Sequence, residues 1–113
     1  MHEIGVMIEV VKTVENFARR NGVTKIQTLV LQIGELSSSI PRYVEACYPA
    51  AVEGTLLEHT ELKIEILPGN GICKDCNKVF NLIENNSLCP KCGGKHFDIL
   101  SGKEFMIKEI VAC

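Results

Sequence analysis

Two cysteine pairs of identical spacing, "CKDC" at 73–76 and "CPKC" at 89–92, constrain this chain more than any other feature. Each Cys-x-x-Cys turn presents two thiolates to one ion, and two facing turns complete a tetrahedron. Zinc asks for that arrangement, and closing all four positions makes the site structural rather than catalytic. Cys73, Cys76, Cys89 and Cys92 are therefore the expected zinc ligands, and Gly93 and Gly94 suit the tight turn after the second pair. Tetrahedral sulfur sites also hold iron, and "CPKCGG" is similar to the second knuckle of rubredoxin. A redox centre calls for aromatic packing, however, and only Phe80 and Phe97 lie near in sequence. Zinc is favoured, and its main work is to fold a segment too small and polar to fold alone.

The rest of the chain reads as a different texture. Residues 3–21 have helical periodicity, with Ile4, Met7, Ile8, Val11, Val14 and Ala18 as the apolar stripe. Glu3 belongs near the positive end of the helix dipole, Arg19 and Arg20 near the negative end. "TKIQTLVLQIG" reads as a strand, with Leu29, Leu31 and Ile33 on one face and Ile26 and Val30 on the other. That pattern predicts helix cover on one side and at least partial cover on the second. Pro41 opens a second helix that runs to residue 53 and stops at Gly54. Pro49 removes a hydrogen bond inside it, which predicts a kink or a break. "TELKIEIL" alternates, placing Leu62, Ile64 and Ile66 inward. After the cysteines, "EFMIKEIVA" is again a strand, and a terminal strand of this kind has no partner inside a tiny cysteine module.

The fold class expected is therefore α/β: a small mixed or antiparallel three-stranded sheet with two helices, plus an inserted zinc-ribbon-like domain. Residues 1–70 with 101–113 form the α/β domain, and residues 71–100 the insertion. At 113 residues the chain has enough length for an ordinary apolar core.

Charge narrows the partners. The net charge is −2, which gives no broad electrostatic case for nucleic acid or membrane binding. Residues 71–103 carry five basic and three acidic side chains, but four thiolates and one zinc cancel that excess. No apolar run approaches the ~20 residues of a membrane span, and the start lacks the pattern of a secretory signal. A cytoplasmic protein is expected, in which six cysteines are a poor disulfide framework. His59 and His96 read as surface residues, Cys47 as a buried thiol on a helical stripe, and Cys113 as a mobile terminal residue.

The first three residues, "MHE", bring donors together without help from the fold. The α-amine of Met1, the backbone nitrogen of His2 and its imidazole chelate in small adjacent rings. Square-planar or tetragonal nitrogen coordination of this kind suits Ni(II) or Cu(II). Glu3 adds an oxygen. From chemistry alone, helix capping and surface solvation together are favoured over a metal role for the same residues.

In the order "MHE", "LVLQIGELSSSIP", "GTLLEHTELKIEILPG", "CKDC…CPKCG" and "LSGKEFMIKEI", the chain resembles the HypA/HybF family of hydrogenase maturation factors over almost its whole length. That resemblance implies a two-domain nickel metallochaperone. It implies His2 as the essential nickel ligand, Glu3 as a supporting one, and the Met1 amine and local backbone nitrogens as further donors. Cys73, Cys76, Cys89 and Cys92 correspond to the family's zinc ligands. The implied function is transient binding and delivery of Ni(II) during maturation of [NiFe]-hydrogenase and, in some organisms, urease. The implied partners are the nickel-binding GTPase HypB, the hydrogenase large subunit or its maturation complex, and urease accessory proteins. Some family members carry an acidic nickel ligand where this chain has Ile40, so water, a backbone group or Glu3 must fill that position, or coordination is lower.

No phosphate-binding glycine loop or nucleophile–base pair is readable, so no enzyme activity is expected. Two rival readings remain at the level of sequence. One is a zinc-ribbon module that binds nucleic acid or protein, with "MHE" incidental. The other is an electron carrier with iron at the four cysteines.

Overall fold

The computed structural model describes residues 2–113. Its elements run α1 (His2–Arg20), β1 (Ile26–Gly34), α2 (Pro41–Val52), β2 (Glu61–Leu67), β3 (Asn70–Cys73), β4 (Val79–Asn81), β5 (Phe97–Ile99) and β6 (Phe105–Ala112). One sheet has the order β2-β1-β6, with β1 parallel to β2 and antiparallel to β6. It is a mixed sheet, because α2 carries the chain across from β1 to β2 and the chain then returns as β6 from the opposite end. A second, antiparallel sheet has the order β4-β3-β5 and lies between β2 and β6 in the chain.

The larger core sits between the two helices and one face of β1. Met7, Val14, Leu29, Leu31, Ile33 and Val44 are fully buried there. Burying each large aliphatic side chain contributes about 1.5–3 kcal/mol relative to leaving it exposed. The α1 stripe differs from expectation at its edge. Val10 is buried and Ile8 is exposed, because the contact line runs through Met7, Val11 and Val14 and leaves Ile8 beyond its rim.

The alternation of β1 also fails at one point. Ile26 joins the same core as Leu29, Leu31 and Ile33, where strict alternation puts it on the opposite face. The pairing steps from Ile26↔Ala112 to Thr28↔Val111, so β1 carries one extra residue there. Such a bulge reverses the facing of everything beyond it. The face bearing Val30 and Gln32 has no helix over it; Glu65 bridges Gln32 and Lys108 there, with Lys108 Nζ 2.8 Å from both carboxylate oxygens. Val30 is nonetheless buried, so this side is partly covered, as the strand pattern predicts.

Of the kink or break expected at Pro49 the break does not occur, and a second expectation in the crossover needs correction. The helix α2 runs through Pro49 without a break. Pro49 and Glu45, whose carbonyl loses its amide partner, both lie on the exposed side of the helix, where losing the bond costs least. Ile66 is exposed rather than inward: Leu62 and Ile64 pack on the core, and Ile66 lies past the end of it. Elsewhere the crossover is tied down by side chains. Tyr48 donates to the Thr60 carbonyl at 2.9 Å and Thr60 donates to the Ile26 carbonyl at 2.7 Å. Burial pushes the Tyr48 phenol up to about 12.

The two sheets meet at three glycines. A Cβ on Gly34 would fall inside the Gly102 carbonyl, one on Gly102 would lie 2.5 Å from Gly69 Cα, and one on Gly69 would lie 2.7 Å from Leu36 Cγ. Gly102 also has φ +103°, open to glycine at little cost. Glu35 closes the junction, accepting from the Gly69 amide at 2.7 Å and from Asn81 at 3.0 Å.

Candidate metal centres

The four paired cysteines converge. Their sulfur atoms all lie within 4.8 Å of one another, with Cys73–Cys92 at 3.6 Å and Cys76–Cys89 at 3.5 Å. A tetrahedral ion with metal–sulfur bonds of about 2.3 Å needs sulfur atoms about 3.8 Å apart. The donor set and its spacing fit a four-coordinate zinc with no open position. All six cysteines of the chain are free thiols.

The two turns repeat one hydrogen-bond pattern. Asn77 N–H donates to Cys73 O at 2.9 Å, and Gly93 N–H to Cys89 O at 2.8 Å. Cys73 N–H donates to Lys78 O at 2.9 Å, and Cys89 N–H to Gly94 O at 3.0 Å. Asn77 and Gly93 both have positive φ, +63° and +73°, the conformation that asparagine and glycine tolerate best. Gly94 is needed for a different reason. A Cβ there would sit 2.7 Å from Asp75 Oδ2 and 3.2 Å from Cys92 Sγ.

Backbone amides are aimed at the sulfurs. Lys78 serves Cys76, Gly94 serves Cys92, and Cys92 and Lys91 serve Cys89. Without a cation the four thiols compete for charge. Burial opposes ionisation of Cys89, but those amides and the Cys76 and Cys92 thiols bring it down to about 6. The Gly94 amide favours a Cys92 thiolate, yet the neighbouring thiols, Cys73 foremost, and burial push it up to about 12. A bound divalent ion removes that conflict by stabilising every thiolate together. Beneath the turns, Phe80 and Phe97 meet edge to face with centroids 6.3 Å apart. Cys73, Cys89, Phe80 and Leu82 form the small core, against which Leu36 packs from the loop after β1.

The N-terminal residues are arranged differently. His2 opens α1 with an exposed side chain, while Glu3 is buried. The Nε2 atom of His2 lies 3.2 Å from Ser39 Oγ, and Glu3 Oε2 accepts from the Ile40 amide at 3.3 Å. Its own backbone N–H, the Ile40 amide and the charge of His2 together hold the Glu3 carboxyl below its ordinary value, against the opposing effect of burial. Adjacent residues of one loop thus contact adjacent residues of one helix end. Ile40 supplies its backbone amide while its side chain is exposed. The Met1 amine, expected as a further donor, lies outside the described residues.

Sequence reasoning missed Ser39. It is buried in a run of three serines that reads as ordinary loop, and only the path of the loop back to α1 singles it out. The remaining candidates are placed plainly. His59 and His96 are strongly exposed, with His96 Nδ1 3.9 Å from Asp75 Oδ2. Cys47 is buried, its thiol 3.5 Å from Val44 O. Burial first, and the Glu3 charge after it, push that thiol up against the opposing pull of its own backbone amide. Cys113 lies just past β6, its N–H donating to the Lys25 carbonyl at 3.1 Å and its side chain exposed.

Residues 1–112 match the family model described as "Hydrogenase/urease nickel incorporation, metallochaperone, hypA". The hydrogenase maturation factor HypA of Chlorobium luteolum is 34% identical, over 98% of this chain and 95% of that protein. That of Moorella thermoacetica is 38% identical over 95% of each. Among solved structures, the nickel metallochaperone HypA from Helicobacter pylori superposes with a TM-score of 0.66 at 26% identity, covering 97% of this chain and 96% of that one. Another HypA solution structure gives 0.70 at 28% identity, covering 100% and 97%. Sequence and fold agree along the full chain, which belongs to the HypA family of hydrogenase and urease nickel-incorporation factors, metallochaperones rather than enzymes.

Proposed function

We propose that this chain carries Ni(II) at its N-terminus and hands it to a client during maturation of [NiFe]-hydrogenase or urease. His2 is the essential ligand, Glu3 a supporting one, and the Met1 amine a further donor. The observation that carries the reading is the pairing of an exposed His2 with a buried, negatively biased Glu3 at one helix end. Exposure leaves the imidazole accessible to both ion and partner. The carboxylate beside it supplies charge and an oxygen donor.

The cysteine sites divide the labour. Residues 71–100 act as an inserted zinc-ribbon-like domain, held by zinc on Cys73, Cys76, Cys89 and Cys92. Residues 1–70 with 101–113 act as the nickel domain. A closed thiolate site retains its ion, whereas a nitrogen and oxygen site at a chain end exchanges it. Delivery therefore belongs to His2, and fold support to the cysteines. The partners fitting this role are the nickel-binding GTPase HypB and the hydrogenase large subunit or its maturation complex, in the cytoplasm.

Nickel titration of the chain with its native terminus tests the reading, against the same chain extended by Gly-Ser before Met1. The extension keeps the imidazole but converts the Met1 amine to an amide. Nickel affinity should fall in the extended chain while zinc content stays constant. Equal nickel binding by both chains would remove the amine from the ligand set.

A further inference from the structure

We propose that Ser39 is a positioning residue for nickel. It holds Nε2–H of His2, so that Nδ1 is the ring nitrogen offered to the ion. This rests on His2 being a nickel ligand. A metal bound by the His2 backbone nitrogen closes a small, unstrained chelate ring through Nδ1. Nε2 points away from the backbone and closes none. The useful form of the imidazole is therefore protonated at Nε2 with a lone pair on Nδ1. Ser39 Oγ, 3.2 Å from Nε2, is placed to accept that proton's hydrogen bond.

The serine is itself held on several sides. It is 5% exposed. Its backbone N–H donates to Ser37 Oγ at 3.1 Å, and the amide of the next residue, Ile40, donates to Glu3. The loop is thus fastened to α1 on one side of Ser39 and to its own turn on the other. An exposed imidazole at a helix end would otherwise turn freely about its side-chain bonds, and each wrong orientation lowers the fraction of chain ready to chelate. Outer hydrogen bonds of this kind to metal-bound histidines are worth about 10–100-fold in metal affinity.

Three chains with native termini test this: Ser39→Ala, Ser39→Thr and His2→Ala, each titrated with Ni(II) alone. Ser39→Ala should bind about tenfold more weakly, the lower end of that range because His2 is exposed. Ser39→Thr keeps the hydroxyl and should restore parent affinity. Ser39→Thr as weak as Ser39→Ala would assign the effect to packing and overturn the proposal. In parent protein labelled with 15N-histidine, ring correlation spectra at alkaline pH should find His2 protonated at Nε2. A ring protonated at Nδ1 would overturn the proposal without any variant. Loss of nickel in His2→Ala, with parent affinity in Ser39→Ala, removes Ser39 alone. Parent affinity in His2→Ala removes the nickel reading itself.

Discussion

The two candidate metal centres are built on opposite plans. At the cysteines, both turns repeat the same amide-to-carbonyl bonds, amides face the sulfurs, and two of the four thiols are almost inaccessible, Cys73 at 1% and Cys89 at 2% exposed. The donor set is complete within the chain. At the N-terminus, an exposed imidazole lies beside one hydroxyl, and a carboxylate accepts from its own backbone amide and from that of Ile40. A centre that is closed and symmetric suits retention, because every ligand must move before the ion leaves. A centre that is open on one side suits transfer, because a partner's ligands can enter before the old ones depart.

That contrast breaks most visibly at the cysteines. Cys89→Ala should leave three thiolates and forfeit much of the apparent ~10–16 kcal/mol that structural zinc contributes in such modules. Amide hydrogen exchange should rise across β3, β4 and β5 while β1, β2 and β6 stay protected. Unchanged zinc content and unchanged exchange would mean that zinc is not what folds this sheet. Next in size, Gly34→Ala forces a methyl into the Gly102 backbone carbonyl. Overpacking of this type costs about 1–3 kcal/mol, and more where backbone must shift. Thermal unfolding should report that loss, with zinc retained, because the junction and not the cysteine cluster is damaged.

Cys47→Ser is a finer probe. It places a more polar group in the helix core with only the Val44 carbonyl in reach, 3.5 Å from the present thiol, and imperfect pairing of a buried hydroxyl costs about 1–3 kcal/mol. Chemical denaturation should show that loss, and nickel titration should show none; lost nickel affinity in a folded chain would make Cys47 a ligand. Smallest is the effect of acid on the junction. Asn81 and the Gly69 amide hold the Glu35 carboxyl below its ordinary value of 4.5. Ionised Glu35 therefore stabilises the fold fully above pH 4.5, and this is lost as pH falls through the lowered value. Glu35→Gln should be less stable than the parent at neutral pH, with the difference closing below pH 4.5. A constant difference across that range would exclude the carboxylate charge as its source.

The two centres also differ in how much of them was legible beforehand. Cysteine spacing is a local code, so Cys73, Cys76, Cys89 and Cys92 could be grouped from their positions alone. The amphipathic helix and the alternating strands were equally plain, because burial imposes a period on them. What stayed hidden depends on long-range pairing. The bulge that turns Ile26 into the core arises from the register with β6, and nothing in "TKIQTLVLQIG" announces it. Exposure of Ile66 reflects where the helices end, not the strand's own pattern. Ser39 meets His2 across 37 residues. It stands at the end of a run of three serines that the sequence pattern does not tell apart, so only the loop's return to α1 distinguishes it.

Paired nickel and zinc analysis of untagged His2→Ala, beside the parent, tests the division of labour most directly. The parent should hold one tightly bound zinc and a separate nickel that a mild chelator removes. His2→Ala should keep the zinc and the thermal midpoint of the parent and lose the nickel. If His2→Ala instead binds nickel as tightly as the parent and still supports maturation of the client enzyme, the N-terminus is not the delivery site.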